Sequence, residues 1–164
     1  MILLGLGSNL TTDRHDSSTE VLEASLKALS NRDIEVAARS SWYRSAPVPA
    51  SDQPWFVNGV ARVRTALPPR DLLAALHDVE AEFGRVRSLR NASRTLDLDL
   101  LAYGDAVIEE PAGLVLPHPR LGERAFVLQP LAEVAPAWRH PVTGLTAGEM
   151  LALLPAGQTV EKLD

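Results

Sequence analysis

Apolar residues along the chain recur with two different periods, and the switches between them divide it into elements. Ile2-Leu3-Leu4-Gly5-Leu6 is an apolar run of strand length, and Gly7-Ser8-Asn9 behind it has the composition of a turn. Ser17-x-x-Glu20 has the spacing of a capping box, and Val21, Leu22, Leu26 and Leu29 follow at helical spacing. Ile34, Val36 and Ala38 alternate as a second strand running towards Trp42-Tyr43. Residues 44–55 hold three prolines among Ser, Asp and Gln and read as an exposed loop. Phe56–Thr65 alternates again, with Phe56, Asn58 and Val60 on one face and Val57, Gly59, Ala61 and Val63 on the other.

Pro68-Pro69 opens a second helix carrying Leu72, Leu76, Val79 and Phe83, and Gly84 fits its C′ position. Thr95–Tyr103 is predicted as the fourth strand. The order β-α-β-β-α-β predicts an α+β fold of the ferredoxin-like, split βαβ kind with an antiparallel sheet. A C-terminal extension of short segments completes it: a turn at Pro117-His118-Pro119, a turn of helix near Glu123–Leu131, and a last helix from Thr146. Thr146-x-x-Glu149 again fits a capping box, with Leu151, Leu153 and Leu154 as the apolar side. No repeat or linker interrupts residues 1–164, so a single domain is expected.

Composition narrows the possible functions. The 164 residues contain no cysteine, which excludes disulfides, thiolate metal sites and a cysteine nucleophile. The opening apolar run lacks a basic flank and is too short for a signal or membrane span, so a cytoplasmic protein is expected. A net charge of −5 disfavours nucleic acid and anionic membranes as partners.

Against that acidic background one basic cluster is local. Arg85, Arg87, Arg90 and Arg94 lead, with no acid among them, into Asp97-Leu98-Asp99. Leu96, Leu98 and Leu100 alternate with Thr95, Asp97 and Asp99, so on a strand both carboxylates share a face, about 7 Å apart at Cα. Two anions so placed suit a hard cation such as Mg²⁺, and guanidinium forks suit phosphate oxygens. A solvated edge strand and a solvated basic loop are the plain alternatives, but together the two groups point to phosphoryl transfer.

Other candidates are less specific. Phe56 and Asn58 offer an aromatic plate and an amide to a flat heterocycle, though Phe56 equally suits the core. Phe126 is ambiguous in the same way. His118, between two prolines, either bonds phosphate or closes a turn, and Glu80 ends the second helix just before the arginines. His77 lies on the same helix without a partner at interpretable spacing. Neither a Walker loop nor a dinucleotide fingerprint occurs, and Gly5-x-Gly7 alone carries little weight.

These residues resemble the 6-hydroxymethyl-7,8-dihydropterin pyrophosphokinase family of folate biosynthesis. Arg90-Asn91-Ala92-Ser93-Arg94-Thr95-Leu96-Asp97-Leu98-Asp99-Leu100-Leu101 satisfies every position of that family's signature. Gly7-Ser8-Asn9-Leu10, Ser41–Ser45, Asp52–Asn58, Gly84–Arg87, Leu116–Pro119 and Arg124–Leu131 carry the resemblance along nearly the whole chain.

The resemblance implies transfer of diphosphate from ATP to the pterin's hydroxymethyl oxygen, with release of AMP. It implies two Mg²⁺ ions on Asp97 and Asp99, and Arg85 and Arg94 as catalytic residues closing on the triphosphate. Glu80, Arg87, Arg90, His118 and Arg124 are implied as ATP contacts, with His77 near the nucleotide. The pterin is implied to stack between Phe56 and Phe126, with its edge on Asn58 and on Ser45, Ala46 and Val48.

Two departures stand out. Asn91 replaces an aromatic residue found in some members, within a slightly shorter arginine loop, and the segment between Asn9 and Ser17 is longer. Small-molecule substrates, no macromolecular partner and a monomer are expected. A metal-dependent phosphohydrolase and a ferredoxin-like nucleic-acid module are the competing classes, and both leave the setting of Phe56, Asn58 and Phe126 unexplained.

Overall fold

A computed structural model of the chain describes residues 1–9, 15–46, 55–84, 96–111 and 113–163. Within them run β1 (Ile2–Ser8), α1 (His15–Ser30), β2 (Glu35–Arg39), β3 (Tyr43–Ser45), β4 (Phe56–Arg64), α2 (Pro69–Glu82) and β5 (Asp97–Tyr103). The short strands β6 (Ile108–Glu109) and β7 (Val115–Leu116) follow, then α3 (Ala125–Val134), α4 (Ala147–Leu153) and β8 (Val160–Lys162). The fold is mixed helix and antiparallel sheet. Six strands form one sheet in the order β5-β1-β4-β3-β8, with β2 pairing the far end of β4, and β6 pairs β7 separately.

The sheet is covered on both faces. Leu4, Leu6, Val57, Ala61, Val63, Leu98 and Leu100 meet Leu22, Leu26 and Leu29 of α1 and Leu72, Leu76 and Val79 of α2 in one core. Leu3, Val60, Leu101 and Ala102 meet Leu128 and Leu131 of α3 and Ala147 and Met150 of α4 in a second. A register shift between β1 and β5 at Leu3/Leu4 separates the two sets on β5. Leu98 and Leu100 lie before the shift and face the first core, whereas Leu101 and Ala102 turn to the second.

Several expected boundaries move. Gly7 and Ser8 belong to β1 and pair with Asn58 and Val57, so no turn begins at Gly7. Helix α1 starts at His15, which places Ser17 inside it rather than before it. The expected second strand divides at Ser40–Trp42, and Arg44 and Ser45, read as the start of a loop, belong with Tyr43 to a strand on β4. Strands β4 and β5 are shorter than expected at one end each, and the helix expected near Glu123–Leu131 runs Ala125–Val134.

The capping box of α4 is present in both directions, Glu149 N–H to Thr146 Oγ1 and Thr146 N–H to Glu149 Oε1, each at 3.1 Å. Its buried residues are Ala147 and Met150, while Leu153 is exposed, because the helix docks by its first turn. Among the described residues no helix is long and apolar enough to cross a membrane.

Candidate active site

Cross-strand register builds the site. Asp97 pairs with Gly7, Gly7 with Asn58 and Asn58 with Tyr43, while one step along the sheet Asp99 pairs with Gly5. Partners in an antiparallel ladder share a face, so the two carboxylates, the two glycines and the Asn58 amide all face the side that carries α3. Leu98 and Leu100, on the opposite face, bury β5 in the first core and hold the carboxylates outward.

The glycines make the floor. A Cβ added to Gly7 would lie 3.1 Å from Asn58 Oδ1 and 3.9 Å from Asp97 Cβ, so any side chain there would fill the space between the amide and the carboxylate. What remains is a hollow of about 290 Å³ bordered by Gly5, Gly7, Ser45, Ala46, Phe56, Asn58, Asp97, Asp99, Arg124, Phe126 and Gln158. Asn58 is 5% exposed, and its Nδ2 donates to Ser45 Oγ at 2.8 Å, which fixes the amide and leaves Oδ1 towards Gly7. Arg44, beside Ser45, lies 4.6 Å over the ring of Trp55 and bonds Glu161 through Nε at 2.8 Å, tying the outermost strand to the start of β4.

A second hollow of about 490 Å³ opens on the outer side of β5, between α2, β7 and the turn at His118. His77, Glu80, His118 and Pro119 line it, and it shares Asp97, Asp99 and Arg124 with the first. The carboxylate pair and one guanidinium therefore stand where the two spaces meet. Arg124 also lies 5.4 Å from the centre of the Phe126 ring, so the residue facing both hollows rests on the aromatic wall of one.

Electrostatics differ on the two sides. Burial lowers the His118 pKa, Asp99 works in the opposite direction, and Arg124 and Arg120 add to the lowering. The ring's Nδ1 accepts the Arg120 N–H at 3.2 Å, so the neutral imidazole keeps its proton on Nε2 as a donor. Burial and Arg120 lower the Arg124 pKa, against Asp99, Asp97 and Glu123.

Glu80 lines the second hollow from the last turn of α2. It is 2% exposed, and its Oε2 accepts the Leu98 N–H at 2.9 Å, bonding the peptide between the two aspartates. His77 lines the second hollow as an exposed helix residue.

The structure thus brings together Ser45, Ala46, Phe56, Asn58, Asp97, Asp99, Arg124 and Phe126, with His118 and Glu80 on the adjoining hollow. Arg85, Arg87, Arg90, Asn91, Arg94 and Val48 lie outside the described residues, as does most of the long segment after Asn9. Sequence reasoning passed over Gly5 and Gly7 as structural features of the floor, Arg120, and Gln158 at the far end of the chain. Only the glycine pair left a local signal, two glycines spaced to share one face of a strand.

Mg²⁺ can be tested against this donor set. Asp97 and Asp99 offer hard oxygen ligands beside the open space where the two hollows meet. That suits an ion that completes its shell with water and phosphate oxygens, so the residues fit.

Comparison with known proteins bears on the same residues. A family model described as 7,8-dihydro-6-hydroxymethylpterin-pyrophosphokinase (HPPK) matches residues 3–136. A 2-amino-4-hydroxy-6-hydroxymethyldihydropteridine pyrophosphokinase of Pseudomonas aeruginosa is 44% identical over 155 residues, covering 94% of this chain and 91% of the relative. The protein of the same name from Synechocystis is 41% identical, covering 91% of this chain and 73% of its own length. Among solved structures, wild-type HPPK-DHPS of Plasmodium falciparum superposes with a TM-score of 0.69 at 13% identity and supports the fold. The match covers 92% of this chain and 44% of that longer protein.

Proposed function

The chain belongs to the 7,8-dihydro-6-hydroxymethylpterin-pyrophosphokinase family, whose enzymes transfer pyrophosphate from ATP to hydroxymethyldihydropterin, and from that premise we propose that its two hollows divide the substrates. The pterin lies over Gly7 in the first hollow, its ring between Phe56 and Phe126 and its edge on Asn58, Ser45 and the backbone of Ala46. ATP occupies the second, and its phosphates reach the first hollow past Asp97, Asp99 and Arg124. The observation that carries this reading is that both hollows share those three residues.

Asp97 and Asp99 hold Mg²⁺, two ions in this reading. When bound, the metal supplies Lewis-acid charge at phosphate oxygens. The chain's own residues do the rest. Asn58, fixed by Ser45, orients the acceptor so that its hydroxymethyl oxygen faces the β-phosphorus. Arg124 offsets negative charge where the two substrates meet, and the Nε2–H of His118 donates to a phosphate oxygen.

Glu80 acts through Leu98, fixing the strand between the two metal ligands. At the transfer stage Arg85 and Arg94, with Arg87 and Arg90, contact the triphosphate, and Val48 completes the pterin edge. Excluding water at that stage prevents loss of the diphosphate to hydrolysis.

The strand order supports a ferredoxin-like βαββαβ core with a C-terminal extension, folded as one domain. A cytoplasmic monomer acting on small molecules completes the reading. Phosphorus NMR of products from ATP, Mg²⁺ and 6-hydroxymethyl-7,8-dihydropterin tests it. AMP and a pterin diphosphate are expected, only when all three are present. ADP, or AMP formed without pterin, would overturn the assignment in favour of another phosphoryl transfer or a hydrolase.

A further inference from the structure

Arg124 occupies a position that local rules disfavour. It is the N-cap of α3, where Ser, Thr, Asp or Asn would satisfy a free N–H, and its side chain makes no such bond. A cation there also meets the positive end of the helix dipole. The capping function comes instead from the other end of the chain. Gln158 Oε1 accepts the Ala125 N–H at 2.8 Å, and its Nε2 donates to the Glu123 carbonyl at 2.9 Å.

One amide therefore bonds the peptide groups on both sides of Arg124, one as acceptor and the other as donor. A primary amide supplies both functions from a single side chain, on two separate atoms. The next residue, Thr159, accepts the Ala46 N–H at 3.4 Å, so the same stretch also touches the opposite wall of the first hollow. Gln158 is half-buried, borders that hollow, and lies beyond the residues 3–136 that the family model matches.

We propose that Gln158 is a positioning residue for phosphate transfer: by bracketing Arg124 it holds the backbone extended, at φ −116° and ψ 110°, so that the guanidinium stands over Phe126 between the two hollows. The proposal rests on the reading that Arg124 serves the ATP side. The C-terminal segment, remote in sequence from the signature, is then part of the catalytic framework.

A double-mutant cycle tests it, with steady-state kinetics for ATP, fluorescence titration of pterin, and thermal midpoints. Gln158→Ala is expected to lower kcat/KM for ATP about tenfold, with pterin affinity changed less than about twofold. In an Arg124→Ala background the same substitution should have no further effect, because the group it positions is gone.

Equal losses in both backgrounds, or no loss in the wild-type background, would overturn the proposal. Gln158→Met keeps much of the side-chain volume and loses both bonds without adding charge, so it gives the same reading if the alanine variant folds poorly. Failure of the underlying assignment is distinct: Arg124→Ala alone would then leave the ATP kinetics unchanged.

Discussion

Glu80 Oε2 accepts the backbone N–H of Leu98 at 2.9 Å, a bond from the last turn of α2 to the peptide between Asp97 and Asp99. Strand β5 is at the sheet's edge, so this N–H has no further strand to bond. Glu80→Ala leaves it buried and unsatisfied, and about 1–3 kcal/mol of stability should be lost, read by urea denaturation. AMP formation should slow while pterin binding persists. Glu80→Gln, which keeps an acceptor oxygen, should recover most of both.

The metal pair has its own readout. Asp99→Asn removes one anionic ligand while keeping volume, and AMP formation should fall more than about 100-fold. Titration with Mg²⁺ should show a raised requirement. Pterin fluorescence in the absence of ATP should titrate within about twofold of the wild type, since the ring contacts are untouched. A loss of ring binding equal to the loss of turnover would contradict the division of the site.

Gly7 and Gly59, both in the sheet, predict opposite outcomes for the same substitution. Gly7→Ala places a methyl 3.1 Å from Asn58 Oδ1 on the floor of the first hollow, and pterin affinity should fall about tenfold with the fold retained. Gly59→Ala places one 2.5 Å from the Trp42 ring, inside the first core, and about 1–3 kcal/mol of stability should be lost. Fluorescence titration and denaturation midpoints separate the two.

His118 links the site to pH. Burial holds its pKa below the ordinary histidine value of 6.5, so NMR of the ring in the substrate-free protein should show a midpoint under that value. Asp99→Asn removes the one influence that raises it and should lower the midpoint further. As pH falls, the unfolded chain takes up this proton first. The stability contributed by the neutral ring is therefore complete above about pH 6.5 and declines as pH drops towards the folded midpoint.

Much of this was legible from periodicity. Leu98 and Leu100, with Leu96 just ahead of the strand, bury one face of β5, which is why alternation alone placed Asp97 and Asp99 together. Gly7 was misread because glycine has the same local signature in a turn as in a strand that leaves room for a ligand. Strand β8 escaped notice because Val160-Glu161-Lys162 is short and largely exposed, and its pairing with β3 spans most of the chain. Gln158 had no signal at all, since its value lies in two backbone groups more than thirty residues away. Leu153 was expected on the apolar side of its helix, but α4 docks through its first turn and leaves it exposed.

The alternation on β5 also protects the site against sliding. Slipping the strand by one residue against β1 would drive Asp97 and Asp99 into the core with α1 and α2, and would expose Leu98 and Leu100 in the hollow. Burial of those leucines therefore acts as a lock on where the negative charge sits, and the register shift beyond Leu100 returns the strand to the second core without disturbing it. A deletion of one residue between Asp97 and Leu100 would then be more damaging than most substitutions there, because it inverts the polarity of the strand at once.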